Sequence, residues 1–398
     1  MVLSKKNVNF IELVLVCILF FKPLAINSLS QYNMLNNLWD YARILLFLVL
    51  MFKLFSKHKF SRSLIKVIGC NLIFLVSTLL SGGNMRGMIV QIASILGFCF
   101  LIELEGRKDV RRFCLALFYG VSILIVLHTI LMFIYPDGLG YDTTYWNKIY
   151  FLASKNGLVK FFFPAIVSGL TYAELIKKKM PKTVIFMIAL CFTLSVIIQS
   201  TTSAIGIAIC VLLYIINKFP NAKKIVNIRR LSYFLIVFVF AVCILAFNGW
   251  LNTIIGLFVD SDKAKNYYDR IYIWQSSIQM IKNKFILGYG MPFNGGHINV
   301  NGKYMYSHNG FLEFFLYGGL VGFILSISMY FDVLKSRAIF KQYSNCVPVL
   351  CGIIGFIFMM ITESHISTIS YWGFFVLFDS LKRFNKIDGN GICNICNK

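Results

Sequence analysis

The chain has 398 residues, of which 58% are hydrophobic and only 14% charged, whereas a soluble domain carries about 25% charge. That deficit excludes an ordinary soluble enzyme, and the long apolar runs exclude a disordered chain. The 39 Lys+Arg against 16 Asp+Glu give a net charge of +23; too little soluble surface remains for a nucleic-acid patch, so the charge is expected to report membrane topology, with no nucleic acid as partner.

A membrane-crossing helix needs about 20 mostly apolar residues. In chain order, runs of this kind fall at 10–26, 41–55, 64–80, 88–104, 113–135, 158–176, 183–199, 203–218, 231–247, 309–334, 347–361 and 366–381. They predict an all-α, polytopic transmembrane helical bundle of about 12 spans, a single membrane domain over 1–398 with no room for a large soluble one. The first run has a long core and no clear small-residue cleavage site after it, so it reads as a retained span and not a signal peptide. Most of the cysteines lie inside these runs, where a thiol is a small hydrophobe. Cys393 and Cys396 have CxxC spacing, but one such pair cannot complete a four-ligand zinc site, and no metal or other cofactor is expected.

With the N-terminus inside and the runs alternating, every inner connection carries a basic cluster: Lys5 and Lys6, then the lysines and arginines at 53–66, 107–112, 177–182, 218–230, 335–341 and 382–398. About two thirds of the basic residues fall on that side. The pattern predicts a multi-pass membrane protein with both termini cytoplasmic.

One outer connection stands apart. Residues 248–308 form a loop of about 60 residues, a length usually reserved for function or disorder. Within it, 266–285 reads as an amphipathic helix, because Tyr267, Ile271, Trp274, Ile278, Ile281 and Phe285 share one arc at helical spacing. Such a helix is expected to lie along the outer membrane interface, with the glycine-rich stretch 288–296 turning the chain behind it.

The candidate chemistry collects on the outer side. Arg270 lies beside the apolar stripe, one turn before Trp274, where its guanidinium offers paired donors matched to a phosphate; the plainer reading is an interface anchor. His308 opens the tenth run, with Ser307 or Asn309 as helix cap. The positive end of a helix disfavours imidazolium, so a neutral imidazole there is a competent general base; equally, it is a boundary histidine satisfied by water. Glu313 is placed to orient that histidine, bind a sugar hydroxyl or cap the helix. Arg86 in a glycine-rich turn, Lys155 and Asn156 at the end of the second outer loop, and the polar turn 199–203 are further contacts or ordinary loop residues. Gly318 and Gly322 have the spacing of close helix packing. Glu12 and Glu174 are isolated near span ends, so no proton relay is expected.

Taken together, Arg270-Ile-Tyr-Ile-Trp274, Gly288-Tyr-Gly290, Ser307-His308-Asn309-Gly310-Phe311-Leu312-Glu313 and Gly318-Gly319-Leu320-Val321-Gly322 resemble the O-antigen ligase/polymerase superfamily, which includes Wzy-type polysaccharide polymerases. Lys155-Asn156 resembles that family's basic or proline residue before an asparagine. The resemblance implies a helical, GT-C-like, metal-independent glycosyltransferase that uses polyprenyl-diphosphate-linked oligosaccharides at the outer face of the membrane, among membrane lipid. His308 would be the base for the acceptor hydroxyl and Arg270 the partner of the donor diphosphate. Arg86, Lys155, Asn156, Trp274, Asn309 and Glu313 would be substrate contacts, and a chain-length regulator and a flippase would be partners. Lysine far exceeds arginine, as in low-GC genomes whose bacteria often lack lipopolysaccharide, which favours capsule or exopolysaccharide polymerisation over a ligase that transfers finished chains. A transporter or flippase of lipid-linked sugars is the rival from another class, but it should show internal repeats and polar groups at mid-membrane.

Overall fold

The computed structural model describes residues 5–56, 60–141, 148–177, 179–219, 261–293, 295–300, 302–336 and 344–389, with seven further positions between 230 and 241. The run at 231–247, apart from those positions, the opening of the long loop at 248–260 and the Cys393/Cys396 pair lie outside the described residues.

The described chain is overwhelmingly helical. Its helices are α1 (Lys5–Phe20), α2 (Leu24–Ser28), α3 (Asn33–Phe55), α4 (Arg62–Leu80), α5 (Met85–Ile134), α6 (Val159–Ile176), α7 (Lys182–Ile197), α8 (Thr201–Lys218), α9 (Ser261–Asn283), α10 (Gly310–Lys335), α11 (Val347–Met359) and α12 (Ile369–Gly389). Two short antiparallel ribbons interrupt them, β1 (Gly140–Tyr141) with β2 (Lys148–Ile149), and β3 (Ile298–Val300) with β4 (Lys303–Met305). Among the described residues, five helical segments are long and apolar enough to cross a membrane: α4, α5, Lys155–Ile176, α8 and α10. Three shorter apolar helices accompany them, at Asn9–Phe20, Lys182–Ile197 and Ser344–Met359.

Helix α5 runs for 50 residues and is broken at Asp109, where the backbone is extended (φ −158°, ψ 95°). The Asp109 carboxylate accepts from the Arg112 amide at 3.1 Å, the geometry of a residue that starts a new helix. The break separates the two apolar runs expected at 88–104 and 113–135. Large apolar side chains such as Phe52 (76% exposed) and Phe133 (75%) point outward, which lipid accepts and water would not.

Polar ties mark one end of the bundle. Glu103 is fully buried and receives Arg383 in a two-pronged contact at 2.7 and 2.9 Å as well as Arg107 at 2.7 Å, joining α12 to α5. Lys66 pairs with Asp332 at 2.7 Å, joining α4 to α10. Glu174 is not isolated: it accepts from the Tyr214 hydroxyl at 2.6 Å and pairs with Lys218. The connections at the other end of these helices, around 148–158, 198–200, 306–309 and 360–368, build the candidate site.

The glycine motifs explain how the long segment docks. Helix α10 breaks at Gly319 (φ +58°). The break frees the carbonyls of Leu316 and Tyr317, which accept from the Tyr289 and Gly290 amides at 2.6 and 3.1 Å, and the Leu320 amide, which donates to the Phe285 carbonyl at 2.8 Å. The segment following α9 thus fills the gap in α10. Gly290 also lies against α4, where the Thr78 hydroxyl accepts from the Met291 amide at 2.9 Å. Gly318 and Gly322 do provide close helix packing: a Cβ there would sit 2.7 and 3.0 Å from the Phe74 ring of α4. At Gly319 an added Cβ would meet the Ile286 carbonyl oxygen at 2.2 Å in a left-handed conformation. Gly319→Ala is therefore expected to cost at least about 2 kcal/mol, seen as a thermal midpoint lowered by several degrees in detergent; an unchanged midpoint would refute this docking.

The apolar face of α9 faces protein. Ile273, Trp274 and Ile281 pack with Ile298, Leu312 and Leu316, so α10 and the β3–β4 ribbon, rather than membrane lipid alone, cover the stripe. Trp274 is 5% exposed. A stripe measured by periodicity has the same width whether lipid or a neighbouring helix covers it, which is why sequence alone pointed to the interface.

Candidate functional site

Four connections converge on a residue that sequence reasoning did not single out, Glu363. It lies between α11 and α12, and its side chain is 14% exposed. Asn156, in the short 3-10 turn before α6, donates to Glu363 Oε1 at 2.7 Å. Arg270 of α9 places Nη2 3.4 Å from the same oxygen and donates through Nη1 to the Thr362 carbonyl at 2.9 Å. His308 Nδ1 lies 3.7 Å from Oε2. The Ser200 hydroxyl, itself 2.7 Å from that of Ser203, donates to Asn156 Oδ1 at 3.2 Å. Burial works against the ionised carboxyl of Glu363, yet the His308 imidazole and the Arg270 guanidinium hold it below the usual carboxylate range. The result is a fixed carboxylate between a cation and an imidazole, both about 30% exposed and open to a substrate.

His308 is held in a strained backbone. Its φ of +50° is left-handed and unusual for a residue other than glycine. The turn is locked from both sides. Ser307 donates its amide to Glu313 Oε2 at 3.0 Å and bonds the same oxygen through its hydroxyl. Asn309 caps α10, accepting from the Phe311 and Leu312 amides at 3.0 and 3.1 Å, and donates to the Ile361 carbonyl at 3.2 Å. Asn309 and Glu313 are fully buried. They form the frame of the His308 turn, and Glu313 Oε1 faces His297 at 3.8 Å instead of His308. Trp274 serves Arg270 in the same way, anchoring α9 one turn beyond it. Lys155 is exposed beside Asn156, and Arg86 donates to Asn37 at 3.2 Å at the rim of a separate cavity. Geometry thus joins Arg270, His308 and Asn156, keeps Trp274, Asn309 and Glu313 in support, and sets Arg86 apart. Among the described residues no group of three or more His, Cys, Asp or Glu side chains is placed to hold a metal ion.

His365 follows Glu363 in the same connection and is 3% exposed. Burial, reinforced by nearby Lys160, pushes its imidazole down to about 3 from the ordinary 6.5. Between those values the unfolded chain binds a proton that the folded chain refuses, so stability falls as the pH drops below about 6.5. Thermal midpoints measured from pH 7 to pH 4.5 should fall less steeply in His365→Gln than in the parent; equal slopes would exclude this source.

A helical membrane protein with an Arg–carboxylate–His cluster at one end of its bundle is the class that fold and site define. Residues 183–327 match the family model described as O-antigen ligase, which is consistent with the resemblance to the O-antigen ligase/polymerase superfamily. No curated protein and no solved structure matches the chain. The matched segment contains Arg270, Trp274, His308, Asn309 and Glu313, and ends before Glu363. The polar string Thr362-Glu363-Ser364-His365 between two apolar runs was the available signal. It is a weak one, because short polar turns separate most membrane helices, and only the tertiary structure brings this one to Arg270 and His308.

Proposed function

We propose that this protein is a membrane glycosyltransferase that polymerises polyprenyl-diphosphate-linked oligosaccharide repeat units on the outer face of the cytoplasmic membrane. The proposal includes about twelve spans and cytoplasmic termini, supported by the basic clusters of the inner connections. The observation that carries the reading is the convergence of Arg270, His308 and Asn156 on Glu363.

Nucleotide sugars are cytosolic, so an outer-face transferase needs a sugar already attached to a lipid carrier. The acceptor hydroxyl attacks the anomeric carbon as its bond to the diphosphate oxygen breaks, and the electron pair leaves with the lipid diphosphate. Arg270 stabilises the charge that develops there, a task for fixed donors in a site with little water. His308 takes the hydroxyl proton. With Nδ1 turned to Glu363, Nε2 is the nitrogen for that transfer, and the carboxylate favours the imidazolium that results. Asn156 and the Thr362 carbonyl fix Glu363 and Arg270, and hence the spacing of base and cation. Attack from the face opposite the leaving group inverts the anomeric centre; retention of the donor's configuration in the new linkage would sink that step.

The test is complementation of a deletion strain. Polymerase loss should remove long polysaccharide while single lipid-linked repeats still reach the outer face. Long chains that persist on the lipid carrier without reaching their final acceptor would reveal a ligase, and repeats trapped on the cytoplasmic face would reveal a flippase.

A further inference from the structure

A cavity of about 730 Å³ lies next to the Glu363 site, at the same end of the bundle. It is lined by α3, by the first turns of α5 and α6 and by the connections that follow α1, α4, α5 and α11, with Met291 of the long segment as one wall. Apart from Met291, none of its lining belongs to the segment matched by the family model. The turn holding Asn156 also contributes Ser154 and Gly157 to the wall, and Ser367 and Thr368 follow Glu363 in the same connection. Cavity and site therefore share those two stretches of chain.

Its chemistry is distinctive. Lys22, Arg43, Arg86 and Lys160 line it against a single acid, Asp40. Asp40 is shared by Lys22, at 2.8 Å, and Arg43, so the lining keeps a positive excess. Lys160 opens into this space with its side chain exposed. Buried polar atoms also converge here without a partner: Asn36 Oδ1, Arg43 Nε, Gln91 Nε2 and Thr368 Oγ1. Gln91, Arg43 and Thr368 are each 9% exposed or less. Buried donors and acceptors of this kind are normally satisfied, and all four belong to residues that line this one cavity, where a polar ligand would complete them. Amides and hydroxyls match sugar hydroxyls, and cations match acidic groups. The volume lies in the range of small-molecule sites and exceeds what one diphosphate needs.

We propose that this cavity holds a stretch of acidic glycan, a sugar chain bearing carboxylate or phosphodiester groups, beside the Glu363 site. The proposal rests on the glycosyltransferase reading and narrows its substrate to an anionic repeat unit. Lys160 and Arg86 meet the acidic groups, and Gln91 and Thr368 meet ring hydroxyls.

The test begins with the polysaccharide that disappears when the gene is deleted. Its composition should show at least one carboxylate or phosphodiester in each repeat. Lipid-free fragments of it should bind the full-length protein in detergent about tenfold more tightly than fragments whose acidic groups have been removed, by carboxyl reduction or by hydrofluoric acid according to which group is present. Lys160→Gln should lose the same factor with an unchanged thermal midpoint, and Arg86→Gln, at the rim, provides a second variant should the first misfold. A neutral polysaccharide, equal binding of both fragments, or binding that requires the lipid diphosphate would overturn the proposal. A polysaccharide lost but neutral removes this proposal alone, whereas surface polysaccharide unaffected by the deletion removes the polymerase reading and this proposal with it.

Discussion

Replacing His308 by alanine is expected to abolish long polysaccharide in a deletion strain, with a rate loss of about 10²–10⁴-fold in a purified assay. The size follows from the base role proposed for it: a sugar hydroxyl has a high pKa, and without a base at the anomeric centre the proton has no acceptor as the bond forms. Arg270→Ala should lose about 10²–10³-fold, because the diphosphate would then leave without its fixed counter-charge. Arg270→Lys should recover little, since an ammonium cannot reach both Thr362 and Glu363 as the guanidinium does. Protein level and the pool of single lipid-linked repeats should stay near the parent in all three. Chains of normal length in both alanine variants would reject the enzyme reading.

Glu363 should matter almost as much, though it is a positioning residue. Glu363→Ala removes the acceptor for Asn156, the counter-charge of Arg270 and the partner of His308 together. It leaves a cation near the imidazole with no carboxylate between them. The expected loss is about 10²-fold. Glu363→Gln keeps the shape without the charge and should remain impaired, whereas Glu363→Asp should regain part of the activity. Because Gln preserves packing better than Asp does, that order separates an electrostatic role from a structural one. Activity in Glu363→Gln equal to the parent would remove Glu363 from the site.

Periodicity reported much of the architecture directly. The apolar runs at 64–80, 158–176 and 309–334 coincide within a few residues with α4, α6 and α10, because a membrane-spanning helix must satisfy its backbone within itself and announces its length as hydropathy. The helix start was legible to within two residues, at Ser307 or Asn309, for the same local reason, since a cap and its amides lie within three residues of one another; the cap is Asn309. Arg270, His308 and Asn156 were legible as types of residue on one side of the chain, and the first two belong to the segment that matches the O-antigen ligase family.

What the sequence could not determine is which of these residues meet. Glu363 is 93 residues from Arg270 and 207 from Asn156, and no local pattern distinguishes it from a solvated turn. Gly319 read as one member of a glycine motif inside a continuous apolar run, until the gap it opens in α10 proved to be where the Tyr289 and Gly290 amides bind. Glu313 looked like a partner for His308, but the reversed backbone at His308 turns it toward Ser307 and His297. Each case has one physical cause. Hydropathy and capping are interactions between near neighbours and are written in order along the chain, whereas a buried charge is compensated by whatever the packing brings within a few ångströms. Sequence alone therefore determined the apolar, helical class of the protein and the residue types proposed for its chemistry; the tertiary structure decided that Arg270, His308 and Asn156 meet at Glu363.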